Sequence, residues 1–113
     1  MHRCIVVHAD GRMETVVWEQ RAVAQHLGGS VTFVGGIEDL QVVFVALAFA
    51  PPSDAPINPF FANHRALFFP CTPPMRGCMV MIASDDDGEP IDVDVEKVHA
   101  LFQSPQTRRD GSV

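Results

Sequence analysis

The side chains that could take part in chemistry are concentrated in one segment, PFFANHRALFFPCTPPMRGC, at residues 59–78. His64, Cys71 and Cys78 lie in this segment, and Cys4 could join them in space, so imidazole and thiol ligands for zinc are present. Structural zinc sites hold two ligands on one short turn, as in C-x₂₋₄-C, whereas six residues separate Cys71 from Cys78. This spacing predicts no metal site, and no other cofactor is expected. Cys4 and Cys78, which lie in apolar runs, are predicted to be small residues of the core.

Cysteine catalysis is the second chemistry that the segment offers. Cys71 and His64 lie on the same predicted loop and could form a thiolate–imidazolium pair that acts as a nucleophile. No cysteine-protease signature and no nucleophile elbow surround them. A small hydrolase or metal-dependent enzyme that uses His64, Cys71 and a nearby carboxylate stays open as an alternative, and no catalytic residue is assigned.

The same segment holds a surplus of aromatic residues, because two phenylalanine pairs flank the sequence ANHRAL. Such a surplus either covers the core or forms a contact surface. Aromatic and arginine side chains are enriched at the centres of protein interfaces. We therefore predict an interaction surface within residues 57–76, made by Phe60, Phe61, His64 and Arg65. Its partner would be a host or viral protein, a small ligand or a second copy in a homodimer, and core packing of the phenylalanines is the alternative.

The charge balance argues against direct binding of nucleic acid. The chain carries a net charge of −6, with acidic clusters at residues 85–89 and 92–96, whereas nucleic-acid backbones attract basic surfaces. A weaker alternative follows, in which the chain is an acidic decoy of a nucleic-acid-binding host protein. The longest apolar run, residues 42–50, is too short to span a membrane, and the N-terminal residues lack the pattern of a signal peptide. We expect a cytoplasmic protein with reduced thiols and no membrane partner.

The elements that must position these residues follow from local patterns. An Asp-Gly pair at residues 10–11 joins two β-branched runs and predicts a hairpin, and apolar residues at helical spacing are followed by a glycine C-cap at Gly28. The predicted strands are 3–8, 13–18, 30–34, 41–49 and 78–84, and the predicted helices are about 19–27 and 95–103. This order predicts an α+β fold, a mostly antiparallel sheet of about five strands with an N-terminal hairpin and two short helices packed on it. Residues 1–103 would form one domain with a proline-rich internal loop at 50–76, and residues 104–113 a flexible polar tail.

The order of short motifs resembles that of a family of small domains of unknown function, carried by phages, plasmids and other mobile elements. The motifs are Leu27-Gly28-Gly29 after the first helix, Asn63 in the middle loop, and the strand that follows Gly77 and leads to Asp86-Asp87-Gly88 and a final helix. The chain departs from the family by Leu27 in place of a valine and by the prolines of residues 51–59. The resemblance implies an accessory protein of a mobile element and implies no activity. With the aromatic surplus, the leading interpretation is a non-enzymatic protein- or ligand-binding module, in the host cytoplasm if phage-encoded.

Overall fold

In the computed structural model, which describes residues 1–48 and 56–102, an antiparallel sheet of six strands carries three short α-helices. The strands are β1 (His2–Val7), β2 (Met13–Trp18), β3 (Val31–Ile37), β4 (Val42–Leu47), β5 (Met79–Ser84) and β6 (Pro90–Ile91). The helices are α1 (Val23–Leu27), α2 (Pro59–Asn63) and α3 (residues 95–102). The predicted α+β class, antiparallel sheet and N-terminal hairpin are confirmed.

The strand order is β2-β1-β5-β4-β3, so β5 is central and β2 and β3 form the two edges. The apolar run of β4 lies between β5 and β3, as expected for a strand buried on both faces. β6 was not predicted, and it pairs with the end of β5 through Ile91 opposite Ala83. The strand is so short that it carries no periodic pattern from which it could be read.

The edge strand β3 continues beyond the Gly35-Gly36 pair, so the predicted end of this strand at the two glycines is wrong. The register shifts between Phe33 and Gly35, which leaves Val34 as an extra residue in the strand. A Cβ atom on Gly35 would collide with the carbonyl oxygen of Leu67, so only glycine permits this close approach.

The predicted helix at residues 19–27 is interrupted. A 3-10 turn at Gln20–Ala22 precedes α1, which has five residues and no side-chain cap at its start. The predicted glycine C-cap is confirmed, because Gly28 has a φ of 93° and donates its N–H to the carbonyl of Ala24. The final helix begins as predicted, with the carboxylate of Asp94 accepting the N–H of Lys97 at 3.1 Å.

Apolar side chains are buried on both faces of the sheet. On the first face, α2 and α3 cover the larger cluster, whose buried members from the sheet include Ile5, Val7, Val42, Phe44, Met79 and Met81. On the second face, Val23 of α1 covers a smaller cluster that contains Cys4, Val6, Val45 and Val80. Since α1 is only five residues long, several side chains of the second face stay partly exposed.

Two predictions cannot be compared with the structure. Residues 50–55 of the predicted proline-rich loop and the predicted tail at residues 104–113 lie outside the described residues. Across residues 1–48 and 56–102, no helix combines the length and the apolar character that crossing a membrane requires.

Candidate interaction surfaces

Asn58 anchors the segment that carries the predicted interaction surface. Its side chain is fully buried, and its amide NH₂ donates to the carbonyls of His8 at 2.9 Å and Gly77 at 2.8 Å. Its side-chain oxygen accepts the N–H of Phe60 at 2.8 Å, so the residue also caps α2, with Pro59 at the first helical position. One side chain thus ties this segment to the β1–β2 turn and to the residues that precede β5.

Phe60 and Phe61 point into the core. They are 5% and 3% exposed, and their rings lie 5.8 Å from the ring of Phe44 and 4.8 Å from the ring of Phe68, respectively. Phe60 also contacts the ring of Phe102 in α3 at 5.0 Å, so α2 is held between the sheet and α3. The predicted surface therefore lacks its two aromatic rings, and core packing, the alternative left open by the sequence, describes both residues.

His64 and Arg65 remain partly accessible. The His64 ring lies 4.8 Å from the Phe60 ring and 4.7 Å from the Phe102 ring, and burial against them lowers the pKa of His64, because the charged imidazolium loses hydration. Arg65 is exposed, and its guanidinium lies 5.6 Å above the ring of Phe61. A binding role for these two residues stays a prediction.

The three cysteines divide between the core and the surface. Cys4 is fully buried, as predicted, and burial raises the pKa of its thiol. Cys71 and Cys78 are both exposed. The predicted core position of Cys78 is wrong, because β5 begins one residue later, at Met79, and Cys78 precedes the covered part of the sheet.

The candidate catalytic pair is not assembled in the described residues. The ring contacts of His64 are with phenylalanines, and none of the described hydrogen bonds joins it to Cys71. Within residues 1–48 and 56–102, no three His, Cys, Asp or Glu side chains lie close enough to hold a metal ion. His64 and Cys71 are therefore not arranged as the catalytic pair or metal site that the enzyme alternative requires.

Part of the acidic cluster has a local structural role. Asp85 accepts the N–H groups of Asp87 and Glu89, each at 2.9 Å, and so closes the turn between β5 and β6. Asp92 accepts the N–H of Arg3 at 2.9 Å and joins this region to β1. These bonds explain the presence of carboxylates at both positions without a binding function.

Two phenylalanines that are exposed among the described residues lie in or beside the edge strand β3. Phe33 is 60% exposed and Phe69 is 54% exposed. The N–H of Phe69 donates to the carbonyl of Val34 at 2.9 Å, and the hydroxyl of Thr72 donates to the same carbonyl at 3.2 Å, so residues 69–72 run along this edge. Phe69 therefore lies at the outer side of the strand that carries Phe33.

Both exposed rings belong to the second face. Phe33 pairs with Val45, whose side chain lies in the cluster of that face. Phe68 is buried on the first face, and since successive residues of an extended segment point to opposite sides, Phe69 points to the second. We call these two rings, together with the partly exposed Val43 of β4, the Phe33–Phe69 surface.

Two surface depressions lie away from these aromatic residues. One, of about 250 Å³, is lined by Met1, His2, Glu19, Gln20, Arg21 and Pro90. The other, of about 390 Å³, is lined by Arg3, Asp92, Val93, Asp94, Val95 and Glu96. Both are lined mainly by exposed side chains, whereas small-molecule sites usually enclose the ligand with apolar walls.

Sequence patterns did not identify the Phe33–Phe69 surface or Asn58. Phe33 lies in a run of β-branched residues that predicts a strand but not which of its side chains is covered. Asn58-Pro59 carried a usable signal, since asparagine followed by proline is typical of a helix start as well as of a loop.

Comparison with protein-family models, with curated protein sequences and with solved structures finds no match to this chain. The resemblance to the mobile-element family therefore has no independent support.

Proposed function

We propose that this protein is a small non-enzymatic binding module that docks a partner protein on the Phe33–Phe69 surface. The observation that carries the proposal is the exposure of two phenylalanine rings at the same edge of the sheet, at 60% and 54%, on a chain that buries Phe44, Phe60, Phe61 and Phe68. Large aromatic side chains exposed at one edge of a sheet are typical of sites that bind another macromolecule.

The position of the two rings suits protein binding. Aromatic side chains lose little conformational entropy when they bind, because they have only two rotatable bonds, and they are enriched at the energetic centres of interfaces. The backbone under them is fixed, since Phe33 belongs to β3 and Phe69 is hydrogen-bonded to it. A rigid platform lowers the entropy lost on association.

Charge selects the class of partner. With 14 acidic against 8 basic residues, the chain attracts basic proteins and repels acidic ones at long range. We therefore propose a basic partner that presents apolar side chains to the two rings. The two depressions are open and lined mainly by exposed side chains, which favours a protein over a small ligand.

From the resemblance alone, the proposal extends to an accessory protein of a phage or other mobile element that acts on a host or viral protein in the host cytoplasm.

Capture experiments with matched variants test the binding surface. Tagged wild type and a Phe33→Ser/Phe69→Ser variant are incubated with extract of cells that carry the gene, and retained proteins are quantified. Leu101→Ser is the control, because Leu101 is 46% exposed but lies in α3, which packs on the first face. Circular dichroism and thermal melts establish that all three chains are folded.

We expect a stoichiometric partner that the wild type and the control retain equally and the double variant retains at least about tenfold less, equivalent to about 1.4 kcal/mol. The same partner should be released by raised salt, because the long-range attraction is screened. Equal retention by the double variant would remove the Phe33–Phe69 surface as the binding site.

A further inference from the structure

The outer edge of β2 is open along its whole length in the described residues. β2 pairs with β1 on one side and with no described strand on the other. The opposite edge of the sheet differs, because Phe69 and Thr72 bond to Val34 and so occupy part of the outer side of β3. An uncovered strand edge presents unpaired N–H and C=O groups that another strand can bind.

The β1–β2 hairpin determines which backbone groups of β2 face outward. The N–H of His8 donates to the carbonyl of Arg12 at 2.8 Å, which makes these residues a hydrogen-bonded pair. Hydrogen-bonded and non-hydrogen-bonded pairs alternate along an antiparallel ladder. Met13, Thr15 and Val17 therefore direct their N–H and C=O groups away from β1, towards solvent.

A second observation supports this assignment. Arg3 is the partner of Val17 in the hairpin, yet its N–H donates to Asp92 at 2.9 Å and its carbonyl accepts the N–H of Val93 at 3.0 Å. Both groups of Arg3 thus point away from β2, as the alternation requires. The N–H and C=O groups of Val17, its partner in the hairpin, therefore point away from β1.

We propose that two copies of this chain associate by antiparallel pairing of their β2 strands, with Thr15 opposite Thr15 of the second copy. A two-fold axis perpendicular to the sheet generates this arrangement from one self-complementary edge. Met13 of each copy then lies opposite Val17 of the other, so all three outward-facing residues join the new ladder. Paired side chains also fall on the same face of the sheet, which antiparallel pairing demands.

The side chains of β2 fit this register. Glu14 faces Val16 of the second copy, so the only charged residue of the strand does not meet itself. Arg12 of one copy faces the ring of Trp18 of the second copy, which allows a cation–π contact at each end of the pairing. If one β2 strand slid by two residues so that the pairing was centred closer to the β1–β2 turn, Glu14 of one copy would lie opposite Glu14 of the other. Like charges directly opposite each other are destabilising.

The edge carries few of the features that keep natural edge strands apart, since Glu14 is its one charged residue. β2 contains no proline and no lysine, and its ladder with β1 runs without a register shift. Val17, which is 55% exposed in the monomer, would be covered by Met13 of the second copy. The sequence of β2 is therefore complementary to the same strand of a second copy.

Complementary charges at position 15 test the register directly. Sedimentation equilibrium is run up to about 0.5 mM, because even interfaces of standard size can bind only in the micromolar range and this contact is smaller. The wild type is compared with Thr15→Glu, with Thr15→Lys and with an equimolar mixture of the two. Thr32→Lys is the control, since Thr32 is an exposed threonine on the other edge strand.

We expect dimers of the wild type and of Thr32→Lys. Each position-15 variant alone should associate at least about tenfold more weakly, and the mixture should recover a heterodimer, because only a Thr15-centred register brings the two charges together. A monomeric wild type across the whole range would overturn the proposal. A mixture that associates no better than its components would overturn the register. Neither result bears on the Phe33–Phe69 surface, which lies at the other edge.

Discussion

Substitution of Asn58 should lower stability more than any other change of a single amide side chain in the described residues. Asn58→Ala removes the cap of α2, which contributes about 1 kcal/mol, and takes away the donor to the carbonyl of Gly77. The carbonyl of His8 also loses its side-chain donor but still accepts the N–H of Gly11. The unsatisfied acceptor at Gly77 costs about 1–3 kcal/mol. The expected loss is about 2–4 kcal/mol of unfolding free energy, a large share of the roughly 5–15 kcal/mol of a typical domain.

The informative comparison is with Asn58→Asp. Aspartate keeps the oxygen that accepts the N–H of Phe60 but replaces both NH₂ donors with carboxylate lone pairs that face two carbonyls. At neutral pH it should therefore destabilise the protein at least as much as alanine, although aspartate is an excellent N-cap residue. The loss should shrink at acidic pH, because a protonated carboxyl can donate to one of the carbonyls.

Urea unfolding followed by circular dichroism measures these differences, with Asn63→Ala and Asn63→Asp as controls. Asn63 is exposed at the end of α2, and its substitution should change the unfolding free energy by less than about 0.5 kcal/mol. An Asn58→Asp variant as stable as the wild type at pH 7 would refute the assigned hydrogen bonds.

Three further results are expected. A thiol reagent should modify two of the three cysteines in the native protein and Cys4 only on unfolding, because Cys4 is fully buried; three fast-reacting thiols would contradict this. Phe61→Ala should lower the unfolding free energy by about 3–5 kcal/mol in urea melts, and Phe69→Ala should lower it by less than about 0.5 kcal/mol. Equal losses would contradict the burial of Phe61 or the exposure of Phe69. Wild type should be more stable than His64→Gln, and this difference should be complete above the ordinary histidine pKa of 6.5. The difference should fall as the pH drops through the lowered pKa of His64 in the folded protein, because the unfolded chain then binds the proton more readily. Thermal melts at pH 8 and pH 5 that show the opposite trend would contradict this.

The sheet could be predicted from the sequence because its signals are local. The Asp-Gly turn, the apolar run of β4 and the glycine that ends α1 each report their own conformation. Cys78 shows the limit of this reasoning, since an error of one residue in the start of β5 changes a core residue into an exposed one.

The candidate site could not be predicted from local signals because tertiary packing decides it. Phe60 and Phe61 are adjacent in a helix, and a helix lying on a single surface would bury one and expose the other. Both are buried because Phe60 packs between Phe44 of the sheet and Phe102 of α3, whereas Phe61 packs against Phe68. Phe33 and Phe69 are exposed because α1 is too short to cover the β3 side of the second face, and neither residue type indicates this by itself.

Site-specific photocrosslinking tests the central claim most directly. Benzoylphenylalanine is placed at position 33, at position 65 and at position 101 in separate chains, which are irradiated in extract of cells that carry the gene. The proposed binding surface predicts a discrete adduct from position 33 that excess unlabelled wild type competes away, and none from position 101. An adduct from position 65 alone would contradict it and would return the binding site to His64 and Arg65.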